Sequence, residues 1–195
     1  MKLTFSPASP FARKVRIAAI ELGLIDKIEF VPATVAPGTA NDEYSKITPL
    51  KKLPVLILDH GDVILDSYVI VEYLNEIGGG RLIPGYGPRR WKLKTDHSLL
   101  NGMLDSMLLC RYEKMVRPQG SLWQAWYDDH WNRAWAGMAR FENGPTCWKD
   151  LRSTSRRSAS SACWATPISA SPIAAGARPI PSSTPSTSAC KSGRR

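Results

Sequence analysis

The sequence predicts an α/β domain with a small mixed sheet, followed by an all-α region. Two observations lead to this prediction: short apolar segments alternate with helical patterns up to residue 79, and from Arg89 to Glu142 the pattern is helical throughout. The length of 195 residues allows two small domains. We therefore expect domains at 1–79 and 89–143, joined by a linker at 80–88.

The amino-terminal elements follow one another as strand, helix, strand, hairpin and helix. Met1–Phe5 is typical of a strand, and Pro10–Leu24 of a helix with its apolar residues on one face. The later predicted segments are a strand at Lys27–Val35, a loop, a strand at Leu53–Leu58, a strand at Val63–Leu65 and a helix at Tyr68–Ile77. Ser67 is the expected cap of the last helix, and Gly78–Gly80 its end.

Two helical segments are predicted between residues 89 and 143, with Pro118–Gly120 as the interruption. The first segment has a set of apolar residues at helical spacing: Leu99, Met103, Leu104, Met107 and Leu108. The second has an aromatic set: Trp123, Trp126, Tyr127, Trp131 and Trp135. We interpret both sets as a packed helical core and not as a cofactor site.

Composition excludes several classes of protein. Residues 144–195 hold eight of the basic groups and one acidic group, whereas residues 1–143 hold 18 basic and 16 acidic groups. The basic part has no interleaved aromatic motif, so we expect no specific nucleic-acid partner. No apolar run reaches the ~18 residues of a membrane span, and the start lacks a signal-peptide pattern. The four cysteines form no CxxC pair or metal-like cluster, so neither a disulfide nor a metal is expected.

The start of the first helix carries the strongest chemical signal. Ser9-Pro10-Phe11 places a hydroxyl where a strand ends and a helix begins. Backbone N–H groups without partners lie there, and the positive end of the helix dipole favours an anion. A thiol bound at this point would be held as a thiolate, so the segment indicates an enzyme that handles thiols.

Two further segments fit the same chemistry. Pro54 stands directly before a predicted strand, where proline favours an edge, a first strand position or a cis turn. A cis bond at Leu53–Pro54 would direct the backbone of Val55 towards an extended ligand. Asp66-Ser67 places a carboxylate and a hydroxyl at a helix start, where they could bind an ammonium and a carboxylate.

In these segments the chain resembles the glutathione S-transferase family, especially its bacterial members with a serine in an S-P-F/Y segment. The resemblance extends from Met1 to about Asn143. The residues that carry it are Ser9-Pro10-Phe11-Ala12-Arg13-Lys14-Val15-Arg16, Leu53-Pro54-Val55, Leu65-Asp66-Ser67, Ile70, Glu72, Tyr73 and Leu74. Each segment is short, but their order and spacing together make the similarity specific.

The resemblance implies a thioredoxin-like domain that binds glutathione as co-substrate, followed by a helical glutathione-transferase domain, here incomplete. Ser9 would donate a hydrogen bond to the glutathione thiolate, which attacks a small electrophile. Val55 would pair with the cysteinyl part, and Asp66 and Ser67 would hold the γ-glutamyl end. The other glutathione-binding residues implied are Phe11, Lys52 and Leu53, with Pro54 as the cis-proline. The family also implies a cytoplasmic homodimer that acts in detoxification.

Several alternatives stay open. Ser6 competes with Ser9 for the sulfur contact, and Asp66 and Ser67 could be a plain capping pair. Arg13 and Lys14 are expected on a solvated face. A catalytically inactive binding protein on the same fold is the alternative function. Residues on the electrophile side are named from position alone: Leu104, Met107, Leu108 and Tyr112.

Thiol–disulfide exchange is excluded by the same helix start. A glutaredoxin-like oxidoreductase needs a Cys-Pro-Phe/Tyr-Cys segment, and this chain has Ser9 and Ala12 at the two cysteine positions. No protein thiol is therefore present there to form a mixed disulfide.

The composition changes abruptly after Asn143. Residues 144–195 contain twelve Ser and six Pro, no Phe or Tyr, and no hydrophobic periodicity. A natural disordered basic tail is one explanation. A shifted reading frame is the other, and it would leave the helical domain without its last helices. We then expect low stability or an exposed apolar patch on Trp123–Trp135.

The genetic code supports the frameshift explanation. With the frame moved back by one base, each codon takes its last two bases from the present residue and its first base from the preceding one. Trp148 after Cys147 then specifies leucine, and Lys149 after Trp148 specifies glutamate. With permitted codons, three segments of the tail read as RADVLE, LGYADFR and YPELDAFHQRMQER, which resemble the end of a glutathione transferase helical domain.

Overall fold

The structure is a computed structural model that describes residues 1–143. The predicted disordered or frameshifted tail, residues 144–195, lies outside the described residues. The elements in chain order are β1 (Lys2–Phe5), α1 (Pro10–Glu21), a 3-10 helix (Ile25–Lys27), β2 (Glu29–Pro32), α2 (Asp42–Ile47), β3 (Val55–Ile57), β4 (Val63–Leu65), α3 (Ser67–Ile77), α4 (Pro88–Met115) and α5 (Gln124–Asn143).

The four strands form one mixed sheet in the order β2-β1-β3-β4. β1 and β2 are parallel because α1 crosses over between them, whereas β3 and β4 form an antiparallel hairpin. β1 and β3 are antiparallel neighbours at the centre. The predicted thioredoxin-like domain with a mixed sheet, followed by a helical region, is confirmed.

The core lies between the sheet and the helices α1 and α3, which contact each other. Leu3 and Leu56, which face each other on the central strands, are fully buried. Val15 of α1 and Leu74 of α3 pack on them and are equally buried. Burying a side chain of this size contributes about 1.5–3 kcal/mol, so this core fixes the starts of both helices relative to the sheet.

Three sequence predictions need correction. α1 ends at Glu21 and not at Leu24, because Gly23 turns the chain at φ +69°. The second strand is shorter than predicted, since the 3-10 helix includes Lys27 and the strand runs only from Glu29 to Pro32. The cap of α3 is Asp66 and not Ser67, because the Asp66 carboxylate accepts the N–H of Tyr68 at 2.6 Å.

A short helix, α2, lies where the sequence analysis expected a loop. Its cap is Asn41, whose side chain accepts the N–H of Tyr44 at 3.0 Å. Two acidic residues, Asp42 and Glu43, follow in the first turn. A capping residue followed by acidic groups is a helix-start signal, and it could have identified α2 from the sequence.

The helices α4 and α5 pack against each other beyond the sheet domain. Met103 of α4 lies against Gly137 of α5, where an added Cβ would come within 2.5 Å of the Met103 side chain. The predicted helical core is only partly buried: Met103 and Tyr127 are buried, whereas Trp123 and Trp135 are 62% and 44% exposed. No helix within residues 1–143 combines the length and the hydropathy needed to cross a membrane.

Candidate functional site

The sheet topology brings the three predicted segments to one edge of the sheet, where β1 and β4 end and β3 begins. This is the site edge. Thr4 near the end of β1 pairs with Val55 at the start of β3, and Val55 pairs with Leu65 at the end of β4. The loops that follow β1 and β4, and the loop that precedes β3, therefore leave the sheet on the same side. These loops carry Ser9, Pro54 and Asp66, so residues far apart in the sequence form one site.

Ser9 is the cap of α1. Its hydroxyl oxygen accepts the N–H of Ala12 at 3.2 Å, and Pro10 follows at the first helical position. Ser6, the alternative, accepts the N–H of Ala8 at 3.4 Å in the preceding loop. Both hydroxyls keep a proton to donate, but only Ser9 lies at the positive end of the helix dipole.

The Leu53–Pro54 peptide bond is cis. Val55, the predicted backbone partner of an extended ligand, has both backbone polar groups bonded within the protein. Its N–H donates to the Thr4 hydroxyl at 3.1 Å, and its carbonyl accepts from that hydroxyl at 3.3 Å. Val55 is buried between two neighbouring strands, so its backbone polar groups pair within the sheet. Leu53 is half-buried and precedes the strand, outside the residues that pair in the sheet.

A hydrogen-bonded network of Tyr44 and Thr4 holds the loop that precedes β3. The Tyr44 hydroxyl of α2 donates to the Lys52 carbonyl at 3.1 Å and lies 2.8 Å from the Thr4 hydroxyl. Burial raises the pKa of Tyr44, against the hydrogen bond with Thr4, so the phenol stays neutral and keeps its proton. Lys52 is among the predicted site residues, whereas Tyr44 is not, because it belongs to α2, where a loop is predicted.

Asp66 has an unusual backbone at the start of α3. Its φ of +69° lies in the region that favours glycine, yet the residue is an exposed aspartate. Strained backbones of this kind concentrate at ligand sites, because the surrounding structure must hold them. Ser67, the next residue, is buried at the first helical position. A carboxylate and a helix start therefore lie side by side, as the sequence analysis expected.

Lys14 does not lie on a solvated face as predicted. Its ammonium lies 2.8 Å from His97 Nε2 and 2.8 Å from Asn101 Oδ1, both on α4. Burial lowers the pKa of Lys14 to about 8, although the carboxylates of Asp66 and Asp105 partly oppose this. Arg13, next to it, is exposed as expected.

His97 is buried at the junction of three helices. Its ring lies 4.5 Å, centroid to centroid, from Tyr68 of α3, and it contacts Lys14 of α1. Burial, with the charges of Lys14 and Lys94, lowers the pKa of His97 to about 3, so the ring is neutral at pH 7. His97 and Asn101 lie four residues apart on one face of α4, but polar residues at this spacing are common in this helix, so the sequence alone does not identify the junction.

Ion pairs hold α4 to α3 beside this junction. Glu72 Oε1 lies 2.7 Å from Lys94 Nζ and 3.0 Å from Arg90 Nη2. Lys94 also lies over the Tyr68 ring, 5.2 Å from its centroid. These contacts fix the helix that runs past the site edge.

The α4 face towards the site continues past His97 and Asn101. Leu104 and Leu108, two of the residues predicted on the electrophile side, follow at helical spacing and are half-buried. A separate open groove of about 680 Å³ lies on another face of α4 towards Arg133, and its lining includes none of the predicted electrophile residues. Among residues 1–143, no cluster of side chains is arranged to hold a metal ion.

This arrangement suits a ligand with an anionic sulfur at one end and a zwitterion at the other. The start of α1 offers a hydroxyl and a positive dipole, and the start of α3 offers a carboxylate together with N–H groups. The loop at the cis bond lies between them.

Comparison with known proteins gives the family of this domain. The family described as glutathione S-transferase, N-terminal domain, matches residues 8–77. The uncharacterized GST-like protein YibF of Escherichia coli is 30% identical over 119 residues, which are 60% of this chain and 56% of that protein. Glutathione S-transferase 2 of Saccharomyces cerevisiae is 32% identical over 88 residues, 43% of this chain and 36% of that protein. The chain thus matches about half the length of YibF and about a third of the yeast protein.

Solved structures give a longer match. The structure of a glutathione transferase family member from Pseudomonas fluorescens Pf-5, with bound glutathione, is 32% identical with a TM-score of 0.73. The match covers 78% of this chain and 74% of that one. A glutathione S-transferase from Methylobacillus flagellatus KT, also with glutathione bound, is 33% identical with a TM-score of 0.62 and covers 72% and 68% of the two chains.

Proposed function

The chain belongs to the glutathione S-transferase family, and on that premise we propose that it binds glutathione at the site edge and activates the thiol for attack on a small electrophile. The observation that carries the proposal is the convergence of Ser9, the cis bond before Pro54, and Asp66 at one edge of the sheet. The glutathione bound to the Pseudomonas protein supports it. Glutathione is the co-substrate, and the proposed reaction uses no metal.

Ser9 is the proposed contact of the glutathione sulfur. Its oxygen accepts the N–H of Ala12, so the hydroxyl proton is left to donate to a thiolate. A neutral hydroxyl stabilises a thiolate less than a cation does, and the positive end of α1 supplies part of the effect. Together they lower the pKa of the bound thiol, which raises the fraction present as thiolate.

The rest of glutathione would extend from the start of β3 to the start of α3. Leu53 is the proposed backbone partner of the cysteinyl residue, because Val55 pairs within the sheet. Asp66 would accept from the γ-glutamyl ammonium, while Ser67 and the N–H groups of α3 would bind the adjacent carboxylate. The side chains of Phe11 and Lys52 are proposed to contact glutathione on either side of this path.

The proposed reaction forms a carbon–sulfur bond. The thiol proton passes to solvent, the thiolate attacks the electrophilic carbon, and a leaving group such as a halide departs with its bonding electron pair. The electrophile would lie along the apolar side of α4, against Leu104, Met107, Leu108 and Tyr112.

A pair of serine variants tests the role of the α1 cap. Ser9→Ala is expected to lower the rate of glutathione conjugation to an aryl halide by about 10- to 100-fold, the effect of losing one hydrogen bond to a charged group. It should also raise the pKa of the bound thiol, measured by the ultraviolet absorbance of the thiolate. Ser6→Ala is the matched control, because Ser6 lies in the same loop and also accepts a backbone N–H. Loss of rate in Ser6→Ala alone would transfer the role to Ser6.

A glutathione-binding protein without turnover is the second candidate. The observation that favours it is the loss of apolar periodicity after Asn143, because the electrophile side depends on the helical region. Wild-type protein that binds glutathione but conjugates no aryl halide would support this candidate over the enzyme.

We also propose a homodimer that acts in the cytoplasm, in detoxification. Val63 and Leu65 on the edge strand β4, with Val69 on α3, are 41%, 36% and 48% exposed. A second copy packed there would cover an unpaired strand edge and an apolar patch. Sedimentation equilibrium would measure the mass, and a monomer at micromolar concentration would contradict the dimer. Neither a membrane nor a specific nucleic acid is part of the proposal.

A further inference from the structure

Lys14 is a half-buried cation that is bonded to neutral groups. Its two acceptors at 2.8 Å are the His97 imidazole and the Asn101 amide oxygen. An ammonium group can only donate hydrogen bonds, so His97 Nε2 accepts and its ring proton lies on Nδ1. A cation in this position forgoes a carboxylate partner, which is unusual for a buried charge.

A carboxylate lies close by without pairing with Lys14: the charge of Asp66 raises the pKa of Lys14, against the larger effect of burial. The His97 ring contacts both Lys14 and Tyr68, and the N–H of Tyr68 binds Asp66 Oδ1 at 2.6 Å. Asp66 takes part in none of the ion pairs found among residues 1–143, and its side chain is exposed.

We propose that His97 and Asn101 are positioning residues for the γ-glutamyl end of the ligand: they hold the Lys14 ammonium on α4 and so keep the Asp66 carboxylate available for the ligand's ammonium. This inference rests on the proposed function. When either acceptor is lost, Lys14 is held less firmly on α4 and can turn towards Asp66, whose carboxylate already raises the Lys14 pKa against the effect of burial. Lys14 would then compete with the ligand for one carboxylate.

A double-mutant cycle tests this competition. Titration calorimetry measures the Kd for glutathione in the full-length chain. His97→Leu is expected to raise the Kd by about tenfold, because Lys14 then occupies Asp66. Adding Lys14→Met to His97→Leu removes the competitor, so the Kd should return to within about threefold of Lys14→Met alone. A residue that acts only through packing would show no such rescue.

Asn101→Leu provides the same test at a half-buried position, in case His97→Leu does not fold. His97→Gln is expected to keep most of the affinity, because its amide oxygen can accept from Lys14. Ser98→Ala is the matched control, since Ser98 follows His97 but is exposed. Thermal unfolding of every variant identifies those that do not fold.

The outcomes separate this inference from the proposed function. Wild-type protein that is folded but does not bind glutathione overturns the proposed function itself. If the wild type binds, but His97→Leu and Asn101→Leu weaken binding equally with and without Lys14, then the positioning role is wrong. Unchanged affinity in both leucine variants would also refute it.

Discussion

At the scale of the residue, Asp66 has one observed role and one proposed role, and a single substitution separates them. Its carboxylate caps α3 through Tyr68, and its charge is the proposed partner of the ligand's ammonium. Asn also caps helices and tolerates a φ of +69°. Asp66→Asn should therefore change the free energy of unfolding by less than about 1 kcal/mol while raising the glutathione Kd about tenfold.

Titration calorimetry and urea unfolding measure these two effects. Asp62→Asn, at an exposed position in the β3–β4 turn, is the control for loss of one negative charge. Equal affinity of Asp66→Asn and wild type would mean that Asp66 is only a helix cap.

His97 should make stability depend on pH. Its pKa falls from 6.5 in the unfolded chain to about 3 in the folded one, through burial and the charges of Lys14 and Lys94. The unfolded state then binds more protons between these values, so stability is highest above pH 6.5 and falls as the pH falls towards 3. The loss at pH 5 reaches up to about 2 kcal/mol.

Thermal unfolding between pH 7.5 and 5 checks this dependence. The glutamine of His97→Gln cannot titrate. As the pH falls, the Tm of the wild type should therefore fall more than the Tm of the variant. A constant difference across this range would show that His97 does not titrate on unfolding.

At the scale of the element, two glycines make a matched pair at the α4–α5 packing. Gly137→Ala places a Cβ 2.5 Å from the Met103 side chain, so it should lower the free energy of unfolding by about 1–3 kcal/mol. The Cβ added by Gly102→Ala meets no atom within 4 Å, so this variant should raise the free energy of unfolding by about 0.5–1 kcal/mol through helix propensity.

Urea unfolding of both variants measures these changes. If Gly137→Ala is as stable as Gly102→Ala, the two helices do not pack at the Met103 contact in solution.

The elements also show where sequence reasoning succeeds. Local chemistry predicts α1 and α3 well, because a capping residue and an apolar face mark each helix. The same reasoning missed α2, although Asn41 marks its start. It also did not show that the backbone of Val55 pairs within the sheet, because strand order decides which strand is central and the sequence of one strand does not contain that information.

At the scale of the whole molecule, packing between helices decides which parts of the site could be predicted from the sequence. Ser9, Pro54 and Asp66 could be named in advance, since each lies at a recognisable turn. The Lys14–His97 contact could not, because it exists only after α4 packs against α1 and α3. In the sequence, nothing distinguishes Lys14 from an ordinary surface lysine.

The reading frame is a prediction for the whole chain. The gene should contain, one base back from the present frame near Asn143, a frame that encodes apolar-periodic helices. Its nucleotide sequence checks this directly. Stop codons throughout that frame would leave a natural basic tail as the explanation.

The central claim is that the site edge recognises glutathione at both ends. Titration calorimetry of the full-length chain with glutathione, and with the dipeptide Cys-Gly, tests it most directly, because the dipeptide lacks the γ-glutamyl group. We expect one glutathione bound per chain, and binding of Cys-Gly at least about tenfold weaker. A folded chain that binds neither ligand, or binds both equally, would contradict the account.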